Sequence, residues 1–217
     1  LSGEVFKAEW LRFVDTLPHP PETLRWFGWM DVATIDDLEA AAASDGDYTA
    51  VGTAAYNPTT DSGWLTSLDR RRGLSVKENA DYGERVFQAV ADSYGIDFAE
   101  IRVEANKAPG VAQRLRDDTT LPIDPWESTE NKDARIHDAS AAFQDATMQV
   151  CGEPAAWAGV DPQCPADDRE TWADFETQEW LQFPNAGHID RLDVVAGLVD
   201  LVDDAGEFVD GDDVGVF

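Results

Sequence analysis

Acidic side chains outnumber basic ones 44 to 16, so a lone carboxylate carries no information here. Those set in apolar surroundings or at regular spacing are the informative ones. Asp31 closes the run Trp26-Phe27-Gly28-Trp29-Met30 and is the one acid in it. An ionised carboxylate in such a setting needs a cation or hydrogen-bond donors to offset its desolvation. Glu104 ends Ile101-Arg102-Val103-Glu104. In a strand Ile101 and Val103 face one way, and Arg102 and Glu104 the other. Asp190 and Asp193 stand three apart where a helix should begin. They therefore share a face and sit at the end of the helix that favours negative charge. Each of these acids has an ordinary reading as a strand terminator, an exposed strand end or a helix cap. Gathered together, their oxygens suit hard cations, Mg²⁺ or Mn²⁺. Two such ions, about 3.5–4 Å apart, can activate a water and stabilise the leaving oxygen of a phosphodiester. An Asp on the first strand is placed to be shared between both ions.

The elements that must bring these acids together follow from periodicity. Residues 26–32 form a short apolar run with aromatics, as a buried strand does. Residues 49–56 and 63–70 read as two further strands joined by Asn57-Pro58-Thr59-Thr60-Asp61-Ser62, which has hairpin chemistry. Residues 75–94 carry apolar positions near helical spacing. Ser75 with Glu78 forms a capping box and Gly95 a stop. Residues 99–105 alternate as a strand, 110–116 read as a helix and 121–126 as a short strand. A helix over 129–145, a strand over 147–150 and helices over 170–181 and 190–202 complete the series. Residues 9–14 are expected to be a short helix and 34–47 an excursion. The expected division is a connector over 1–25, one domain over 26–205 and an acidic tail over 206–217. Three strands joined by short turns are expected to be antiparallel, and the later strands, alternating with helices, parallel. This mixed α/β plan, a central sheet flanked by helices, is what an RNase H-like domain requires.

The 217 residues suit one domain; 43% are hydrophobic and eight are Trp, enough for a real core. No apolar run is long enough to span a membrane, and the start lacks the features of a signal peptide. The formal charge is −28. Many aromatic and β-branched residues separate the chain from a disordered acidic protein. A folded protein from a salt-saturated cytoplasm is the preferred reading, with a nucleic-acid mimic as the alternative. Molar salt shortens the screening length to roughly 3 Å, so dense like charges stop repelling. Cys151 and Cys164, the only cysteines, cannot build a zinc cluster by themselves. They are expected as free thiols, with a disulfide as the alternative.

The motifs, in order, resemble the nuclease family of viral large terminase subunits along nearly the whole chain. Gly3-Glu4-Val5-Phe6 through Trp10 opens the series. Asp31-Val32-Ala33, Asp47-Tyr48-Thr49-Ala50, Val103-Glu104-Ala105-Asn106 with Gly110, and Lys132-Asp133-Ala134-Arg135 follow. Phe183-Pro184 through His188, Asp190 and Asp193 is the most specific piece. Ile189 departs from the family pattern, where an Asp is common, and Val194 replaces an Ala. The resemblance implies a metal-dependent DNA endonuclease with Asp31, Glu104, Asp190 and Asp193 as ligands of two Mg²⁺ or Mn²⁺ ions. Asp193 is favoured over Asp190, and Asp47 and His188 are possible accessories. The family couples this nuclease to a packaging ATPase. No G-x-x-x-x-G-K-[ST] motif occurs here, so the chain is expected to be the C-terminal half of a longer polypeptide. Its implied substrate is concatemeric double-stranded viral DNA. Portal and small terminase are the implied partners, and the implied setting is a high-salt host cytoplasm, that of a halophilic archaeon, and transiently the procapsid portal.

Such an enzyme must hold a polyanion. Arg70, Arg71 and Arg72, read as a turn, are expected to contact phosphates with Lys107, and Lys132 and Arg135 to bind DNA as well. Two other readings remain open: a junction resolvase or transposase of the same fold, and a virion structural protein whose acids are only a halophilic surface.

Overall fold

The computed structural model describes residues 5–33, 48–104, 108–127 and 131–207. The expected excursion over 34–47 and nearly all of the acidic tail lie outside these, as do Asp47 and Lys107. Seven strands form one sheet. They are β1 (Phe13–Val14), β2 (Arg25–Asp31), β3 (Tyr48–Asn57), β4 (Ser62–Arg72), β5 (Glu100–Glu104), β6 (Ile123–Trp126) and β7 (Met148–Cys151), in spatial order β1-β7-β4-β3-β2-β5-β6. β2, β3 and β4 form the antiparallel meander. β5, β6 and β7 join in parallel, as the alternation with helices predicts.

The helices cover both faces. α1 (Val76–Tyr94) and α2 (Pro109–Asp118) lie on one, and α3 (Lys132–Gln144) and α5 (Asp190–Glu207) on the other. The pleat of β2 divides its side chains between them. Trp26 and Met30 pack in the α1 layer, while Phe27 and Trp29 pack in the α5 layer. Asp31, two residues beyond Trp29, continues the α5 face. α1 begins at the Ser75–Glu78 capping box and ends at Gly95, which takes the left-handed conformation at φ 66°. α5 lies unusually close to the sheet. A Cβ on Gly197 would stand 2.3 Å from the Trp29 ring, and one on Gly52 2.6 Å from Val194. These two glycines let the helix carrying Asp190 and Asp193 settle directly over β2 and β3.

Three expectations are corrected. The 9–14 helix is instead a single 3-10 turn (Ala8–Trp10) followed by strand β1, which pairs with β7. The connector expected over 1–25 is part of the domain in its described portion. Phe6 and Leu11 are buried in the α5-side core, and Lys7 O accepts a hydrogen bond from Trp180 Nε1 at 3.0 Å. The prolines that suggested a linker lie after β1 and shape only its exit. The 170–181 helix is a short α4 (Trp172–Phe175) that passes into a π-helical turn (Glu176–Trp180). Both cysteines are free. No described helix is long and apolar enough to cross a membrane.

Candidate metal centre

β2 and β5 are parallel neighbours, and their register sets Asp31 directly opposite Glu104. Alternation turns Ile101 and Val103 into the α1-side core, so Glu104 and Arg102 face the other layer. Arg102 uses that position to donate to Glu100 at 2.7 Å and to Asp204 of α5 at 3.0 Å. The first turn of α5 then brings Asp193 over the two strand ends. One carboxylate oxygen from each of Asp31, Glu104 and Asp193 lies within 4.8 Å of the other two. Asp190 stands at the rim, its Oδ2 3.8 Å from His188 Nδ1. A cleft of about 200 Å³, lined by Asp31, Lys132, Tyr48, His188 and Asp190 among others, opens onto the cluster.

Two cations enter from the first turn of α3. Lys132 and Arg135 are three residues apart, hence on one helix face, and that face points at the acids. Lys132 Nζ is 3.1 Å from Asp31 Oδ2, 2.9 Å from Asp193 Oδ2 and 4.0 Å from Asp190 Oδ1. Arg135 donates to Asp193 Oδ1 and approaches Glu104 Oε2 at 3.7 Å. Its guanidinium is held over the Trp29 and Trp126 rings at 5.4 and 5.1 Å. Both residues were expected on a DNA-facing surface. The structure turns them inward, because the carboxylate excess attracts them and the two Trp rings cover Arg135. Burial raises the Asp31 carboxyl to about 7; Asp193 and Glu104 push the same way and Lys132 opposes them. Burial by itself would lower the Lys132 ammonium, yet Asp31 and Asp193 together hold it above the ordinary lysine value.

The arginine triplet is not a turn. β4 runs through Arg72, so the pleat splits the three. Arg70 and Arg72 flank the Tyr48 ring at 4.2 and 3.9 Å, while Arg71 turns to the α1 side, 6.0 Å from the Tyr82 ring. Arg70 lies opposite Ala50 beneath the α5 layer. It is buried, donating to Glu170 at 2.7 and 2.6 Å, to Glu179 at 2.8 Å and to Gln178 at 2.6 Å. That commitment removes Arg70 from the expected phosphate contacts. Arg72 is exposed beside His188, 3.4 Å from its Nε2.

Glu179 was not singled out in the sequence, yet it fixes the position of the site. Its Oε2 accepts from the backbone N–H groups of Arg191 and Leu192 at 2.9 and 3.2 Å, in the first turn of α5. Its Oε1 accepts from Arg191 Nε at 2.6 Å. A buried carboxylate thus satisfies the start of the helix that presents Asp190 and Asp193. The signal was available: Trp172, Phe175 and Glu179 fall on one buried helical stripe, and an acid on such a stripe needs a partner.

No protein-family model matches the chain, and no curated protein matches it in sequence. Solved structures do match. The nuclease domain of the human cytomegalovirus terminase, soaked with manganese, superposes with a TM-score of 0.59 at 13% identity. The match covers 91% of this chain and 92% of that one. The large terminase nuclease from the thermophilic phage G20c, with bound magnesium, superposes with a TM-score of 0.52 at 10% identity, over 92% and 98%. At these identities the likeness is one of architecture: the chain has the RNase H-like fold of terminase nuclease domains.

Proposed function

We propose that this chain is a divalent-metal-dependent DNA endonuclease of a viral genome-packaging terminase. The observation that carries the reading is the meeting of Asp31, Glu104 and Asp193 from β2, β5 and α5, with oxygens within 4.8 Å, on a fold shared with terminase nucleases. The donor set fits hard cations: carboxylate oxygens, no described thiol or imidazole among the three, and an open cleft beside them. Bound there, Mg²⁺ or Mn²⁺, two per site, would supply a water of lowered pKa and charge on the phosphodiester.

The chain's own residues do the rest. Asp31, Glu104 and Asp193 would hold the ions, and Asp190 would add a carboxylate at the rim. Arg135 keeps Glu104 and Asp193 oriented. Arg72 and His188 lie beside one another at the approach, where they meet the backbone of the cut strand. Arg71, Arg72 and Tyr48 line a neighbouring cleft of about 430 Å³ that continues this track. The substrate is concatemeric double-stranded DNA, and the chain acts as the C-terminal partner of a packaging ATPase, with portal and small terminase. The charge of −28 supports a high-salt setting, a virus of a halophilic archaeon. Counterion release contributes little affinity in molar salt, so tethering to the motor supplies the effective concentration.

The test is supercoiled plasmid with Mn²⁺ or Mg²⁺ in concentrated KCl. Wild type nicks and linearises it, and Asp31→Ala does not while remaining folded. Equal cutting by both proteins, or none by wild type with either ion, overturns the reading.

A further inference from the structure

The position of Lys132 points to something the carboxylates alone do not. Its ammonium bridges Asp31 and Asp193 at 3.1 and 2.9 Å, with Asp190 at 4.0 Å. That is the place between β2 and α5 where a bridging cation would sit. Among the described residues, four carboxylates, Asp31, Glu104, Asp190 and Asp193, are met by two permanent cations, Lys132 and Arg135. The acid excess is therefore two charges, which one divalent ion neutralises. A second divalent ion would leave the cluster at about plus two, and withdrawal of one resident cation lowers that repulsion to about plus one.

The two residents differ in their freedom to leave. Arg135 has a side chain 2% exposed, held over the Trp29 and Trp126 rings and hydrogen-bonded to Asp193. Lys132 has a side chain 36% exposed on the first residue of α3 and lines the open cleft. Its flexible four-carbon stem can swing the ammonium outward in exchange for its contacts to Asp31 and Asp193.

Resting on the nuclease reading, we propose that Lys132 is a resident counter-cation that competes with one of the two divalent ions. The site then loads unequally: one ion binds with Lys132 in place, and the second binds only as the ammonium withdraws into the cleft. Cutting, which needs both, follows the weaker step. Lys132 thereby sets the divalent-ion concentration at which the enzyme switches on.

The experiment is titration of the full 217-residue chain with Mn²⁺ in concentrated KCl. Calorimetry reads the affinities, and electron paramagnetic resonance reads coupling between paired ions. In wild type the second ion binds at least about tenfold more weakly than the first, within the range of ordinary site-to-site coupling. In Lys132→Met and Lys132→Gln the second ion tightens by about the same factor, and paired-ion coupling appears at correspondingly lower Mn²⁺. The half-saturating Mn²⁺ for plasmid cutting falls with it in any variant that still cuts. Two equally tight ions in wild type, or an unchanged ratio in both variants, overturns the inference and leaves the nuclease reading standing. Absence of specific Mn²⁺ binding in wild type, matched by Asp31→Asn, overturns both. Where a variant folds poorly, the wild-type ratio decides.

Discussion

Two clusters of opposite charges lie at either side of the first turn of α5, and they are built differently. In one, Arg70 and Arg191 face Glu170 and Glu179, two against two. Glu179 accepts from Arg70, from Arg191 and from two backbone N–H groups. In the other, among the described residues, Asp31, Glu104, Asp190 and Asp193 meet two permanently charged side chains, Lys132 and Arg135. Both pair carboxylates with basic side chains, two Arg in the first and one Lys with one Arg in the second. Stoichiometry separates them. A charge-balanced network holds elements together, and removing one partner strands a buried charge. An acid excess in a cleft is unfinished until cations arrive, which is what a metal centre requires. One helix joins the two: Arg191 anchors α5 in the first cluster so that Asp190 and Asp193 are presented to the second.

Matched substitutions in the two clusters should then have opposite consequences. Glu179→Ala is expected to cost about 3–5 kcal/mol of stability, the usual penalty for breaking a buried pair, measured by urea unfolding in concentrated KCl. Asp31→Asn is expected to leave metal-free stability unchanged or higher, because it relieves an acid excess. It should lower cutting by about 10³-fold, since a metal's charge stabilisation amounts to several kcal/mol. Should Asp31→Asn destabilise as much as Glu179→Ala, the distinction between the clusters is lost. Gly197→Ala tests the joint between them. Its Cβ would stand 2.3 Å from the Trp29 ring, and overpacking of this kind costs about 1–3 kcal/mol. Because the displaced helix carries Asp193, Mn²⁺ affinity should fall along with thermal stability; a variant with both intact removes the role given to the close approach.

A smaller effect is expected at Asp69, beside the balanced network but without a full share of it. Burial raises its carboxyl to about 6, against the opposing pull of Arg71 and the Arg70 N–H. An acid whose folded pKa exceeds the unfolded one, about 3.9, adds stability at low pH that is lost as pH rises through about 6. The stability of Asp69→Asn relative to wild type should therefore grow from about pH 4 to about pH 6 and level off above, as read by thermal unfolding. A flat difference contradicts the assignment.

Much of this was legible in the residues themselves. Apolar runs, hairpin chemistry and the Ser75–Glu78 box depend on neighbours along the chain, and the meander, α1 and the parallel additions follow from them. Asp31 and Glu104 stood out for local reasons too, Asp31 as the one acid in an apolar run and Glu104 as an acid placed by a two-residue period. The order of the motifs was likewise written in the sequence, as was the choice of an acid pair three apart at a helix start. What the sequence did not determine is which charges meet. Lys132, Arg135 and Arg70 read as surface cations, because a charged side chain looks the same whether it faces water or an acid 58 to 109 residues away. Their inward positions were decided by the sheet register that sets Asp31 against Glu104, by the pleat that splits Arg70 from Arg71, and by the close seat of α5 over Gly52 and Gly197. Electrostatic pairing depends on distance through space, and only the assembled layers fix that distance.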